Sequence, residues 1–72
     1  MRSFDDELGG YWQAAVLDAS YGGAVLVFSK SGSTTVLKSE LYTANLADAE
    51  QMLATMDEAA LRNTLAEAVP LE

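Results

Sequence analysis

The chain has no cysteine and no histidine among its 72 residues, and each absence removes a class of chemistry. Without Cys there is no disulfide to brace a small fold and no thiolate to hold zinc. Without His there is no imidazole ligand, general base or proton shuttle. Basic residues are nearly as scarce. Arg2, Lys30, Lys38 and Arg62 stand against eleven acids, a formal charge of −7. That balance argues against gripping DNA or RNA through a basic surface, and against an anionic membrane surface. No apolar run approaches the roughly 18 residues of a membrane span. The opening Met1-Arg-Ser-Phe-Asp-Asp-Glu7 is too acidic and too polar for a secretory signal. A cytoplasmic protein is the expectation.

What is present is a globular composition. Half the residues are hydrophobic and 21% are charged, too apolar for a disordered chain. A chain of this length forms one domain, near the lower limit at which a single core supports folding. Small domains commonly close the gap with disulfides, a metal or a partner subunit. With the first two excluded on residue type, self-association is the remaining device.

Residues 1–10 read as a flexible acidic leader, Asp5-Asp6-Glu7 followed by Leu8-Gly9-Gly10. The expected domain covers 11–69, and 70–72 is a tail in which Leu71-Glu72 fits a vector-derived scar. Three strand-like runs follow the leader: Tyr11 to Ala19, Ala24 to Lys30, and Ser33 to Leu41, rich in aliphatic, aromatic and β-branched residues. Ser20-Tyr21-Gly22-Gly23 and Ser31-Gly32 separate them with turn chemistry. Closing the hairpins about Tyr21-Gly22 and Ser31-Gly32 pairs Val16 with Val27, Leu17 with Leu26, and Leu26 with Leu37. One face then carries Ala15, Leu17, Leu26, Phe28 and Leu37. The other carries Val16, Val25, Val27 and Val36, with Trp12 and Ala14 at one end.

From Asn45, a candidate N-cap, the period changes. Leu46, Ala49, Leu53 and Met56 recur at helical spacing, then Leu61, Leu65 and Ala68 on a different side of the cylinder. Two short helices are expected, about 46–54 and 56–68. Thr55 and Glu58 form a capping box, Glu58 and Arg62 an i,i+4 pair, and Pro70 follows the end. The predicted fold class is α+β: a three-stranded antiparallel meander followed by two short helices packed on one face, β-β-β-α-α.

No motif points to catalysis or to a cofactor. Ser29-Lys30-Ser31-Gly32-Ser33-Thr34 lacks the spacing of a phosphate-binding loop and reads as a polar hairpin turn. Asp5-Asp6-Glu7 does not alternate as calcium loops do. Asp18 and Glu40 fall at strand ends, and the acids of the helices (Asp48, Glu50, Asp57, Glu58, Glu67) fall mostly away from the apolar stripes and near helix starts, where they favour the helix dipole. The expectation is therefore no enzyme, no cofactor and no metal.

Two short helices can cover one face of a sheet and leave the other bare. The candidate interface is accordingly Trp12, Val16, Val25, Val27 and Val36, with Trp12 as an anchor of the kind over-represented in binding hot spots. The run Tyr11 to Leu17 carries no charge before Asp18 and offers an unprotected edge. The expected function is a small protein–protein interaction module, homodimeric through the sheet face or that first-strand edge. The partner is a second copy or another protein, with no direct nucleic acid and no membrane. The alternative is an acidic antagonist or accessory protein occupying a basic, nucleic-acid-binding surface on a partner, motivated by the charge.

Overall fold

The computed structural model describes residues 1–18, 23–41, 43 and 45–71. Its centre is the strand β3 (Ala24–Lys30), whose Ala-Val-Leu-Val-Phe run suits a pleated surface flanked on both sides. β2 (Tyr11–Asp18) and β4 (Val36–Leu41) flank it, β1 (Arg2–Asp5) lies outside β2, and a two-residue β5 (Val69–Pro70) lies outside β4. All neighbours are antiparallel, in the order β1-β2-β3-β4-β5. The α+β class and the two helices stand as expected; the meander has five strands instead of three.

Both additions come from segments set aside as leader and tail. In Arg2-Ser-Phe-Asp5 the inward positions are Arg2 and Phe4, and Phe4, its one apolar residue, is buried opposite Trp12. Residues 2–5 are thus a strand of the sheet, which corrects the reading of 1–10 as a leader. At the other end Pro70, which has no N–H to donate, sits on an edge strand where none is needed. The Leu71 N–H continues the ladder by donating to Val36 O at 3.1 Å. The expected turn at 20–23, apart from Gly23, lies outside the described residues, and so does residue 72.

The register differs from the expected one. Val16 pairs with Leu26, Ala15 with Val27 and Leu17 with Val25, a slip of one residue that turns all of β2 over. Trp12, Ala14 and Val16 therefore share a face with Leu26 and Phe28, while Ala15 and Leu17 join Val25 and Val27. Phe28 pairs with Leu37 and Ser29 with Val36, a slip of two that keeps the faces of β4 as expected.

Helices α1 (Leu46–Thr55) and α2 (Glu58–Glu67) cover the Trp12–Leu26–Phe28 face. Asn45 caps α1 as its sequence suggested, accepting from the Asp48 N–H at 2.9 Å. The cap of α2 is Asp57, which accepts from the Ala60 N–H at 2.8 Å. Thr55 instead turns its hydroxyl back to Met52 O at 2.9 Å, so the expected capping box is replaced by an aspartate cap two residues on. The i,i+4 pair forms as expected, Arg62 to Glu58 at 3.0 Å.

Phe4, Trp12, Ala14, Leu26, Phe28, Leu53 and Leu61 make the core, with Phe4 edge-on to Phe28 at a centroid distance of 6.0 Å. Arg2, on the same face as Phe4, locks α1 to the sheet. Its guanidinium Nη1 donates to Leu53 O (2.9 Å), Ala54 O (3.3 Å) and Met56 O (2.7 Å), carbonyls clustered where α1 ends, of which Leu53 O also accepts the Met56 N–H. No helix among the described residues is long and apolar enough to cross a membrane.

Candidate interaction surface

The sheet face away from the helices has no cover among the described residues, and its composition follows from the cross-strand rows. One row runs Ala15–Val27–Lys38–Val69, and its neighbour runs Leu17–Val25–Glu40. A third, Ser3–Gln13–Ser29–Val36, is mostly polar. The first two form a continuous apolar area crossed by one cation and one anion. Leu17 and Val69 are each 53% exposed. Ala15, Val25, Val27 and Val36 are half-buried by their neighbours on the pleat, with nothing stacked above them. Two adjacent apolar rows on an open sheet are the arrangement that marks contact surfaces in small proteins.

Of the five residues expected at the interface, Val25, Val27 and Val36 lie on this open face. Trp12 and Val16 do not. Trp12 is 6% exposed within the core, and Val16 packs against that core beside Leu26. Their places are taken by Ala15, Leu17 and Val69, which the expected register hid or assigned to the other side. The edge expected to be unprotected over 11–17 is occupied over part of its length, where β1 pairs along it from Tyr11 to Ala14.

Trp12 has a local role instead. Its indole N–H donates to Asp6 Oδ2 at 2.7 Å, while Asp6 Oδ1 accepts the N–H groups of Leu8 (2.8 Å) and Gly10 (2.7 Å). These bonds hold the Asp6 carboxyl below its ordinary value of 3.8. The indole N–H contributes most, then the Gly10 N–H, with further help from the Leu8 N–H and the charge of Lys30 against an opposing desolvation. Lys30 Nζ stands 5.9 Å from the Trp12 ring centroid. The turn depends on its glycines. Gly9 has φ +88°, and a Cβ on Gly10 would fall 2.6 Å from Asp6 Oδ2. The acidic triplet is thus a structured turn.

Polar chemistry elsewhere is already engaged. A groove of about 410 Å³ between that turn and α2 is lined by Asp6, Arg62 and Leu65. Asp6 serves three N–H groups, and Arg62 donates to Glu58 and, through Nε, to Asp5 O at 2.7 Å. Asp57 caps α2; Asp48, Glu50 and Glu67 are exposed on the helices. Among the described residues no group of three or more acids converges where a cation could sit. The Lys30–Thr35 segment is a hairpin turn closed by Ser33 N–H to Lys30 O (3.2 Å) and a Ser33–Thr35 hydroxyl contact of 2.9 Å.

Comparison with protein-family models, with curated proteins and with solved structures gives no match for this chain.

Proposed function

We propose that the protein is a small interaction module whose contact surface is the open face of its sheet. The observation that carries this reading is the pair of adjacent rows on that face, with Leu17 and Val69 half-exposed on a chain otherwise rich in surface charge. At about 25 cal/mol per Å² of apolar surface removed from water, covering such an area is a substantial driving force. A cover also supplies what a cysteine-free, histidine-free domain of this size otherwise lacks.

A second reading rests on the opposite side of the molecule. Asp48, Glu50, Asp57, Glu58 and Glu67 are all exposed on the helical layer, where Arg62 is held by Glu58 and the Arg2 guanidinium lies against the end of α1. An acidic module that occupies a basic nucleic-acid-binding surface would present that layer.

One experiment separates the two. Wild-type protein and the variants Val27→Glu and Glu50→Lys are compared for self-association by sedimentation and for capture of proteins from cells of the source, at low and high salt. The open-face reading expects association that Val27→Glu abolishes, Glu50→Lys preserves and salt scarcely moves. The acidic reading expects the reverse, with affinity falling steeply as salt rises. If no association of either kind depends on Val27, the open-face reading is wrong.

A further inference from the structure

We propose that the occupant of the open face is a second copy of this chain. It packs about a two-fold axis that lies in the contact plane and crosses the strands between the two apolar rows. This rests on the open-face reading above and adds the partner and its register.

Self-complementarity carries the argument. A two-fold contact requires that if one position meets another, the second also meets the first. An axis between the rows lays Ala15–Val27–Lys38 of one copy over Leu17–Val25–Glu40 of the other, and the reverse. Small Ala15 then faces large Leu17, Val27 faces Val25, and each Lys38 faces the other copy's Glu40. Both charges come from β4, two residues apart on the same face, and the strand pairing sets them one row apart. That separation is roughly 6.8 Å along the strand. The two apolar rows satisfy their own copy without an unpaired charge.

The charge distribution favours this occupant over a basic protein. The chain carries −7, yet in the two apolar rows one cation balances one anion. A basic partner would leave Lys38 opposed by like charge. A second copy supplies both partners at the right places, although the remaining acids of the two copies repel across the assembly.

The size of the face sets the strength. The three central strands, paired over about 20 Å, and the shorter β1 and β5 outside them present roughly 400 Å² in flat projection per copy at about 4.8 Å spacing. With side-chain relief, a face-to-face pair reaches on the order of 1,000 Å² in total, the small end of specific interfaces. A dimer of this area dissociates in the micromolar range, exchanging the half-exposed face for a two-layer sheet sandwich with helices outside.

The test is sedimentation equilibrium of the full chain over roughly 1 to 500 µM, a range that brackets micromolar dissociation constants. Circular dichroism checks that each variant folds. Wild type is expected to be dimeric at the upper end and monomeric at the lower. Glu40→Lys is the decisive variant. It replaces one negative charge by one positive, so general repulsion falls and a contact governed by net charge alone would tighten. The two-fold register instead sets Lys38 against a new lysine and weakens the dimer by about tenfold. Lys38→Glu weakens it likewise, and the double exchange Lys38→Glu with Glu40→Lys restores it to within about threefold, because the pairs re-form with their signs swapped.

A wild-type monomer at the highest concentration overturns the second copy as occupant. The open-face reading then stands only if Val27→Glu abolishes capture of a different protein. A dimer that Val27→Glu dissociates but Glu40→Lys strengthens overturns the two-fold register and leaves the face in place. A dimer indifferent to both variants lies elsewhere on the molecule and overturns both readings.

Discussion

The two faces of the sheet are cut from the same strands and differ by one residue of register. Along β3, Ala24, Leu26 and Phe28 are buried under helices while Val25 and Val27 look out uncovered. On β2, Trp12 and Ala14 go inward while Ala15 and Leu17 go outward. Apolarity therefore does not decide which face becomes the core. The difference lies in size and in what each face can attach. The covered side holds the large side chains Phe4, Trp12, Leu26 and Phe28, which interlock with Leu53 and Leu61 of the helices. It also holds Arg2, whose guanidinium reaches across to the carbonyls at the end of α1. The open side holds mostly valines and alanine, with Leu17 as the one leucine of its two apolar rows and with Lys38 and Glu40 among them.

The sharpest way to break this contrast is to truncate neighbours on opposite faces of β3. Phe28 is fully buried, and Phe28→Ala is expected to cost about 3–5 kcal/mol from lost burial and the cavity left behind. Against a stability of about 4–11 kcal/mol for a chain of this length, that is a large share of the total. Val27→Ala, one residue away, is expected to cost about 1 kcal/mol or less when measured at a dilution where copies are apart. Urea unfolding followed by circular dichroism measures both. Comparable losses from the two truncations would mean that the open face is as tightly packed as the covered one.

A smaller effect is expected at the clamp between sheet and helix. Arg2→Ala removes three hydrogen bonds from a charged donor to the end of α1, with an expected loss of about 1.5–2 kcal/mol. Arg2→Lys retains the charge but not the planar fork, and should recover only part of the loss. Amide hydrogen exchange gives the local readout: the last turn of α1 should exchange faster in Arg2→Ala while the centre of β3 changes least. Unchanged protection at the end of α1 would show that the helix is held by its apolar side alone.

How far this contrast can be read from the residues depends on the segment. The helices are legible because Leu46, Ala49, Leu53, Leu61 and Leu65 repeat at helical spacing and Asn45 is a good cap. β3 is legible as a central strand from its unbroken apolar run. The register of β2 is not. Its polar residues, Gln13 and Asp18, have opposite parity, so alternation favours neither side and a slip of one residue leaves an equally apolar face. The placement of Trp12 and Val16 at the interface follows from that ambiguity. β1 carries little signal, a single apolar Phe4 and the Asp6–Gly9–Gly10 turn, masked by a concentration of acids that resembles a solvated tail. β5, two residues including a proline, carries none. Val25, Val27 and Val36 are legible as sharing one face because β3 and β4 keep their parity under a slip of two, but the pattern does not say which face the helices cover.

The subtlest difference between the faces sits at the turn that joins β1 to β2, where Asp6 is bonded to a residue of the covered side. Its folded pKa lies below the ordinary carboxylate value because the Trp12 indole and the Gly10 and Leu8 N–H groups bond the ionised form. A depressed folded pKa contributes stability that is fully present above the unfolded value, near 3.8, and is lost as pH falls through the folded one. Asp6→Asn keeps an acceptor for the backbone N–H groups but not a second one for the indole, and it cannot titrate. The variant should therefore be less stable than wild type at neutral pH, with the gap narrowing as pH is lowered from about 5 toward 2. Because the carboxylate is open to solvent, this is the smallest of the expected effects. Thermal unfolding across that range, with Trp12 fluorescence as the probe, measures it. A gap that stays constant with pH would assign the loss to turn geometry alone, and would detach the only tryptophan from the charge that holds it to the covered face.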